Sequence, residues 1–152
     1  MGGFWSQEPA TPPASSPSQK ASFQEALKAI ARAKRTHKMV FVANMSLAMG
    51  KGKLAAQVAH AAIAVYRQAS KTVEGQAALE SWEQHGAVKI VVKGESTEQL
   101  RELQEIAKEN KCYSYLIRDA GHTQIPAGST TVLGIFGEKD QVDAVTGSLK
   151  LM

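Results

Sequence analysis

Short apolar runs alternate with amphipathic segments along most of the chain, and this alternation restricts the fold more than any other feature. Four runs rich in β-branched or aromatic residues are predicted to be buried strands, at residues 39–43, 88–92, 113–117 and 130–136. Four segments with helical spacing lie at about residues 53–70, 74–83, 96–110 and 140–149. Strands that alternate with helices predict a βαβ-type sheet with helices on both faces and right-handed crossovers.

The first strand leads into a glycine-lysine turn that runs directly into a helix. Gly50 and Gly52 let a ligand approach the backbone, the first helical N–H groups point at the same spot, and Lys51 and Lys53 add positive charge. Phosphate is the ligand that this turn predicts. A nucleotide-binding P-loop is excluded, because Leu54 stands where its Ser or Thr would hold Mg²⁺. The alternative is that two lysines merely begin a helix, where their charge opposes the helix dipole.

Two different stripes are predicted along the helix after this turn. The buried stripe consists of Leu54, Val58, Ala61 and Val65. Lys53, Gln57 and His60 follow an i, i+4, i+7 spacing on a separate polar face that begins at the turn. Gln57 and His60 are therefore candidate binding residues, although ordinary surface positions would show the same pattern.

A second polar stretch, residues 119–131, follows the predicted strand at 113–117. Ligands of such sheets usually bind beyond the carboxyl ends of the strands, so this stretch and the glycine-lysine turn are expected to share a site. Asp119 could act as a general base or fix an attacking water, and Thr123 and Thr131 could donate hydrogen bonds. Lys53 could stabilise developing negative charge. For any one of these residues alone, an ordinary turn is the simpler interpretation.

The bulk properties set limits on the function. The 152 residues suffice for one domain with a core, and eighteen basic against fourteen acidic residues give a net charge of +4, which suits a polyanionic partner or simply solubility. The single cysteine, Cys112, excludes an internal disulfide and favours a reducing compartment. No Cys/His cluster has metal-ligand spacing, so no metal site is predicted. No apolar run is long enough to cross a bilayer.

The N-terminal part differs in composition from the rest. Residues 1–21 are rich in Pro, Ser, Gln and Gly and are predicted to be a disordered tail. Gly2 and Ser6 fit the loose N-myristoylation pattern, which chance also produces, and a single acyl chain would anchor a membrane only weakly. Residues 22–37 are predicted to be a basic amphipathic helix that begins at the capping box Ser22 to Glu25. Its cations either suit the helix dipole or contact a nucleic-acid backbone.

Two long motifs carry a resemblance to a known family. They comprise residues 49–53 with 55–57 and 60–61, followed by residues 119–121 with 123–125, 128–129 and 131–133. In order and spacing, residues 38–152 resemble the archaeal-eukaryotic type of peptidyl-tRNA hydrolase. The resemblance implies an α/β fold of three layers, α/β/α, with a small mixed, mostly parallel four-stranded sheet. It further implies hydrolysis of the ester that joins a peptide to tRNA, without metal or cofactor.

The resemblance also implies roles for particular residues. The proposed catalytic set of the family falls on Lys53, Asp119, Thr123 and Thr131. Candidate substrate-binding residues are Gly50, Lys51, Gly52, Gln57, His60, His122, Gln124 and Ser129. Peptidyl-tRNA is the expected partner, a homodimer is expected because family members are commonly dimeric, and the expected location is cytoplasmic, with mitochondrial association as the alternative.

Some positions depart from the family pattern. Asn44, Met45 and Ser46 stand where the family usually has Arg, any residue and Asp, and His122 stands where it usually has Arg. An arginine fork grips phosphate where a mostly neutral histidine cannot, so these losses bear on tRNA affinity. The second hypothesis is therefore a non-catalytic adaptor on the same fold that binds RNA or protein.

Overall fold

The computed structural model describes residues 17, 18, 20–25, 36–120 and 125–152. Its contacts divide the chain into two units, Met1–Ala33 and Lys34–Met152. In the first unit, residues 17, 18 and 20–25 are helical, so this helix includes residues ahead of the cap predicted at Ser22. The rest of the predicted tail and residues 26–35 of the predicted basic helix lie outside the described residues. His37, the predicted end of that helix, instead begins the first strand.

Four strands and four helices make up the described part of the second unit. In chain order they are β1 (His37–Asn44), α1 (Lys51–Ala69), α2 (Val73–Gln84), β2 (Lys89–Gly94), α3 (Thr97–Glu109), β3 (Tyr113–Arg118), β4 (Thr130–Glu138) and α4 (Lys139–Thr146). Each element covers most of a segment whose type was predicted. The closing helix ends at Thr146, ahead of the predicted residue 149.

The sheet has the strand order β2-β1-β4-β3. β1 and β2 are parallel, and β4 is antiparallel to both of its neighbours, β1 and β3. Three of the four strands therefore point the same way, as a mostly parallel sheet requires, but only one of the three neighbouring pairs is parallel. The mixed, mostly parallel sheet is confirmed. β4 runs opposite to β3 because residues 119–129 between them are too few for the crossover connection that parallel neighbours need.

Helices cover both faces of the sheet, which confirms the three-layer arrangement. Successive residues of β1 alternate between the two faces, as the pleat requires. The core on the α1 and α2 side includes Met39, Phe41, Val65, Trp82 and Phe136. The core on the α3 and α4 side includes Val40, Val42, Leu100, Leu133 and Val145.

The start of α3 is capped as predicted, but its inward face is shifted. Ser96 Oγ accepts a hydrogen bond from the Gln99 backbone N–H at 3.1 Å. Leu100 is buried, whereas Ile106, predicted to face inward, is 38% exposed. Ala107 takes the inward position instead, because it lies almost two full turns after Leu100.

Close packing of α1 against β4 positions the site. A Cβ atom built on Gly134 would lie 2.7 Å from Val65 Cγ2 and 3.2 Å from the Ala61 carbonyl oxygen. Gly134 therefore lets α1 approach the sheet more closely than a residue with a side chain would. This approach brings the polar side chains at the start of α1 within reach of the carboxyl end of β3 and the amino end of β4.

Candidate active site

An ion pair joins the start of α1 to the end of β3. Lys53 Nζ donates a hydrogen bond to Asp119 Oδ1 at 2.5 Å. The Lys53 side chain is 12% exposed and the Asp119 side chain 3% exposed, so the pair is largely withdrawn from solvent. The structure thus brings together two of the four predicted catalytic residues, from positions 66 residues apart in the chain. An ammonium and a carboxylate in contact can serve proton transfer and anion stabilisation in one place.

The backbone around Asp119 is held by the loop that follows it. Asp119 N–H donates to the Ser129 carbonyl, and Gly128 N–H donates to the Asp119 carbonyl, each at 2.9 Å. Gly128 adopts a φ of +79°, which favours glycine. Ser129 Oγ donates to the Pro126 carbonyl at 2.7 Å, so this predicted binding hydroxyl also stabilises the turn. These contacts fix the carboxylate at the mouth of the loop.

Thr131 reaches the site through another residue. Its side chain is fully buried, and Oγ1 donates a 2.6 Å hydrogen bond to Gln57 Oε1 and lies 3.3 Å from the Ile117 carbonyl. Gln57 is also buried, although its assignment to a polar face predicts no such burial. Burial is tolerated because Thr131 satisfies the amide oxygen. The amide nitrogen remains as the group of Gln57 that can donate to a ligand.

A cavity of about 810 Å³ opens between α1 and β3 beside the ion pair. Lys53, Gln57 and His60 all line it, so the predicted i, i+4, i+7 set does meet one surface. Ile63, Arg67 and Tyr115, which sequence reasoning missed, line it as well. Arg67 continues the i+7 spacing from His60, so helical periodicity could have found it.

The glycine-lysine turn keeps the features of an anion site. Gly50 is the N-cap of α1 and supplies no side-chain cap, and the first turn carries no acidic residue. A Cβ atom on Gly52 would meet nothing within 4 Å, so the backbone there is accessible. Lys51 is exposed. Helical N–H groups and a cation therefore face a position that an anion can reach.

Three predicted site residues cannot be placed. His122, Thr123 and Gln124 lie outside the described residues, so their roles stay predictions.

Within the described residues, no group of three or more His, Cys, Asp or Glu side chains is placed to hold a metal ion. No helix in that part of the chain has the length and apolarity needed to span a membrane.

Asn44 proves to be a buried junction next to the site. Its side-chain N–H group donates to the Thr130 carbonyl at 2.8 Å and to Thr97 Oγ1 at 3.1 Å. Its Oδ1 accepts from Ser46 Oγ at 2.7 Å and from Ser46 N–H at 3.1 Å. Asn44 therefore ties β1 to the starts of α3 and β4, which no local sequence pattern indicates.

Comparison with known proteins gives consistent matches. The family model for peptidyl-tRNA hydrolase PTH2 matches residues 37–152. A Caenorhabditis elegans protein named probable peptidyl-tRNA hydrolase 2 is 66% identical over 118 residues, which cover 78% of this chain and 37% of the relative. The peptidyl-tRNA hydrolase of Methanothermobacter thermautotrophicus is 43% identical over 76% of this chain and 99% of its own length. A Homo sapiens protein named peptidyl-tRNA hydrolase 2, mitochondrial, is 47% identical over 76% of this chain and 64% of its own length.

Proposed function

The chain belongs to the peptidyl-tRNA hydrolase PTH2 family, and from this premise we propose that it hydrolyses the ester joining a peptide to the 3′ end of tRNA. The observation that carries the proposal is the buried Lys53–Asp119 pair at the edge of an 810 Å³ cavity. The products would be a free peptide and a tRNA ready for reuse.

The proposed chemistry needs one water and no cofactor. The Asp119 carboxylate accepts a proton from the water as its oxygen attacks the ester carbonyl carbon. The carbonyl oxygen becomes an oxyanion, which the Lys53 ammonium and the Gln57 amide N–H can stabilise by hydrogen bonds. The bond from the carbonyl carbon to the 3′ oxygen then breaks, and that oxygen takes the proton from Asp119.

The remaining predicted residues take supporting roles. Thr131 is a positioning residue, because its hydroxyl holds the oxygen of Gln57 and thereby directs the amide nitrogen. Gly50, Lys51 and Gly52 take a backbone phosphate of the tRNA at the start of α1. Thr123 stays a proposed catalytic residue, and His122, Gln124 and Ser129 stay proposed substrate-binding residues.

We further propose a reducing compartment such as the cytoplasm, in keeping with one buried free cysteine. The mitochondrial name of the human relative makes mitochondrial association the alternative. A homodimer is the proposed oligomeric state.

The test is release of labelled peptide from peptidyl-tRNA by the purified chain. We expect release at catalytic enzyme concentrations, and release slower by on the order of 10²-fold or more for the chain with Asp119→Asn at the same concentration. Binding of peptidyl-tRNA with no release by the parent chain would favour an adaptor over an enzyme.

A further inference from the structure

We propose that the peptide arm of the substrate binds along the outer edge of β3, in the part of the cavity that lies between β3 and α1. We call this part the edge groove and define it by Ile63, Arg67, Tyr115 and Leu116. The inference rests on the proposed function and specifies how the substrate would lie. The peptide pairs with β3 through its backbone, as an added strand.

The two edges of the sheet are treated differently. Residues after α4 cover the β2 edge: Lys93 N–H donates to the Lys150 carbonyl at 2.8 Å, and Leu151 pairs with Val92. Among the residues that the structure describes, β3 pairs with β4 alone and its outer edge carries no strand. Proteins usually protect such an edge, because unpaired backbone groups bind other extended chains. An open edge beside a reactive ion pair is therefore suited to an extended ligand.

The walls of the edge groove are exposed and apolar. Tyr115 lies opposite Gly134 in the β3–β4 register, and residues that pair directly share a face of the sheet. Because a Cβ atom on Gly134 would contact Val65 and Ala61, this shared face is the one covered by α1. Tyr115 is 48% exposed there, and Ile63 on α1 is 52% exposed. These two side chains offer apolar surface on the β3 wall and on the α1 wall of the edge groove.

Charge and position favour the peptide over the tRNA as the occupant. The substrate extends in two directions from its ester, and the ester must lie at Lys53 and Asp119. The anionic arm suits the exposed Lys51 turn, which lies at the N-terminal end of α1. The cavity continues the other way along α1 from Lys53 to Arg67, a span of about 21 Å at ~1.5 Å per residue. This span equals roughly six residues of extended peptide.

Backbone pairing also fits the chemistry of the substrate. A peptide of any sequence offers the same alternating N–H and C=O groups to an edge strand. A groove that forms hydrogen bonds with those backbone groups can accept peptides of varied sequence without a pocket for each side chain. Arg67, at the far end of the groove, has five donors for peptide carbonyl oxygens.

The experiment compares two substrates on the same tRNA, one with an acetylated amino acid and one with an acetylated hexapeptide that has the same C-terminal residue. For the parent chain we expect kcat/KM to be about tenfold higher with the hexapeptide, a typical effect of a few interface contacts. In the double variant with Ile63→Ala and Tyr115→Ala, kcat/KM for the hexapeptide substrate should fall about tenfold below that of the parent chain. Its kcat/KM for the acetylated amino acid should stay within about twofold of the parent value. The matched control is Ile106→Ala, an exposed isoleucine on α3, which should change neither value.

A second arm tests the strand pairing itself. Hexapeptides N-methylated at single positions should lose about fivefold or more in kcat/KM at every second position and little at the positions between, since alternate amides face β3. Equal losses for both substrates together with weaker binding of deacylated tRNA would place the tRNA in the groove and overturn the inference. The inference is also overturned if the double variant keeps the parent kcat/KM for the hexapeptide, or if the effect of N-methylation does not alternate along the peptide. A parent chain that cleaves neither substrate would refute the proposed function, whereas one that cleaves both equally refutes the edge groove alone.

Discussion

Thr131 Oγ1 donates a 2.6 Å hydrogen bond to Gln57 Oε1 and so joins β4 to α1 in the protein interior. Both side chains are buried, and Gln57 also lines the cavity beside Lys53. The bond assigns opposite tasks to the two ends of one amide, because the oxygen is held by the protein while the nitrogen stays available to a substrate. A threonine that touches no solvent can therefore influence the site.

Thr131→Val should separate this positioning role from direct catalysis. Loss of the hydroxyl leaves a buried amide oxygen unsatisfied, which costs about 1–3 kcal/mol in the free energy of unfolding. We expect kcat to fall about tenfold with little change in KM, since Gln57 would stabilise the oxyanion less well. Thr131→Ser keeps the hydroxyl and should retain most of kcat. Equal kcat for the valine and serine variants would contradict the role of the hydroxyl.

Asn44→Leu should destabilise the fold. The Asn44 side chain makes four hydrogen bonds. Leucine can make none of them, so the Thr130 carbonyl and the Ser46 N–H and hydroxyl groups lose their bonds to residue 44. We expect the free energy of unfolding to fall by about 3 kcal/mol, measured by urea denaturation. Asn110→Leu is the control, because Asn110 makes one exposed side-chain bond to the Ile106 carbonyl and should cost below about 1 kcal/mol. Similar losses in both variants would show that the buried network around Asn44 adds little.

Most elements of the fold could be predicted because their signals are local. Apolar runs and helical spacing located the strands and helices, and the Ser96 cap marked a helix start that the structure confirms. The pairing of neighbouring strands could not be predicted, since it depends on where β4 enters the sheet. That choice is made by contacts between distant residues such as Phe41 and Gly134.

The candidate site was partly predictable for a similar reason. Lys53 lies in the first turn of the helix that follows β1, and Asp119 directly follows β3. Ligand sites of such sheets usually lie at the carboxyl ends of the strands, and this rule predicted that the two residues share a site. The burial of Gln57 depends on a partner 74 residues away, which periodicity cannot show. Tyr115 was missed because its role depends on β3 being an edge strand, a property of the assembled sheet.

The thiol of Cys112 should react slowly. Desolvation by burial raises its pKa to about 11, so roughly one thiol in 10³ is ionised at pH 8, against about a quarter for an ordinary thiol. We expect a disulfide reagent to modify the folded protein at least ~100-fold more slowly than the urea-unfolded protein at pH 8. The rate should rise with pH up to about 11 while the fold persists. A folded-state rate within tenfold of the unfolded one would show that the thiol is accessible and ionised.

Lys51→Ala should weaken tRNA binding through the loss of one phosphate contact. The slope of log affinity against log salt concentration should become shallower by about one unit. Lys139 is the matched control, because it is likewise an exposed lysine at the first position of a helix, α4. Lys139→Ala should leave the slope unchanged. Equal slopes for the parent and both variants would remove the phosphate role from the glycine-lysine turn.

Asp119→Asn tests the chemistry most directly. The amide has nearly the same shape as the carboxylate but is a far weaker base, so it cannot take the proton of the attacking water. We expect single-turnover hydrolysis with saturating enzyme to slow by on the order of 10²-fold or more, while much of the tRNA affinity remains. Lys53→Ala should lower both the rate and the affinity, since it removes a cation as well as an oxyanion donor.

The Asp119 variant also needs a control for the loss of an ion pair as such. The chain contains one in Lys38 and Asp143, whose Nζ and Oδ1 atoms are likewise 2.5 Å apart, between β1 and α4. Asp143→Asn removes the same kind of charge outside the cavity lining and should leave hydrolysis unchanged. Both variants should remain folded by circular dichroism, with a larger fall in melting temperature for Asp119→Asn because its partner Lys53 is left buried and unpaired. If Asp119→Asn cleaves peptidyl-tRNA as fast as Asp143→Asn does, the carboxylate is not the base, and the proposed mechanism is wrong.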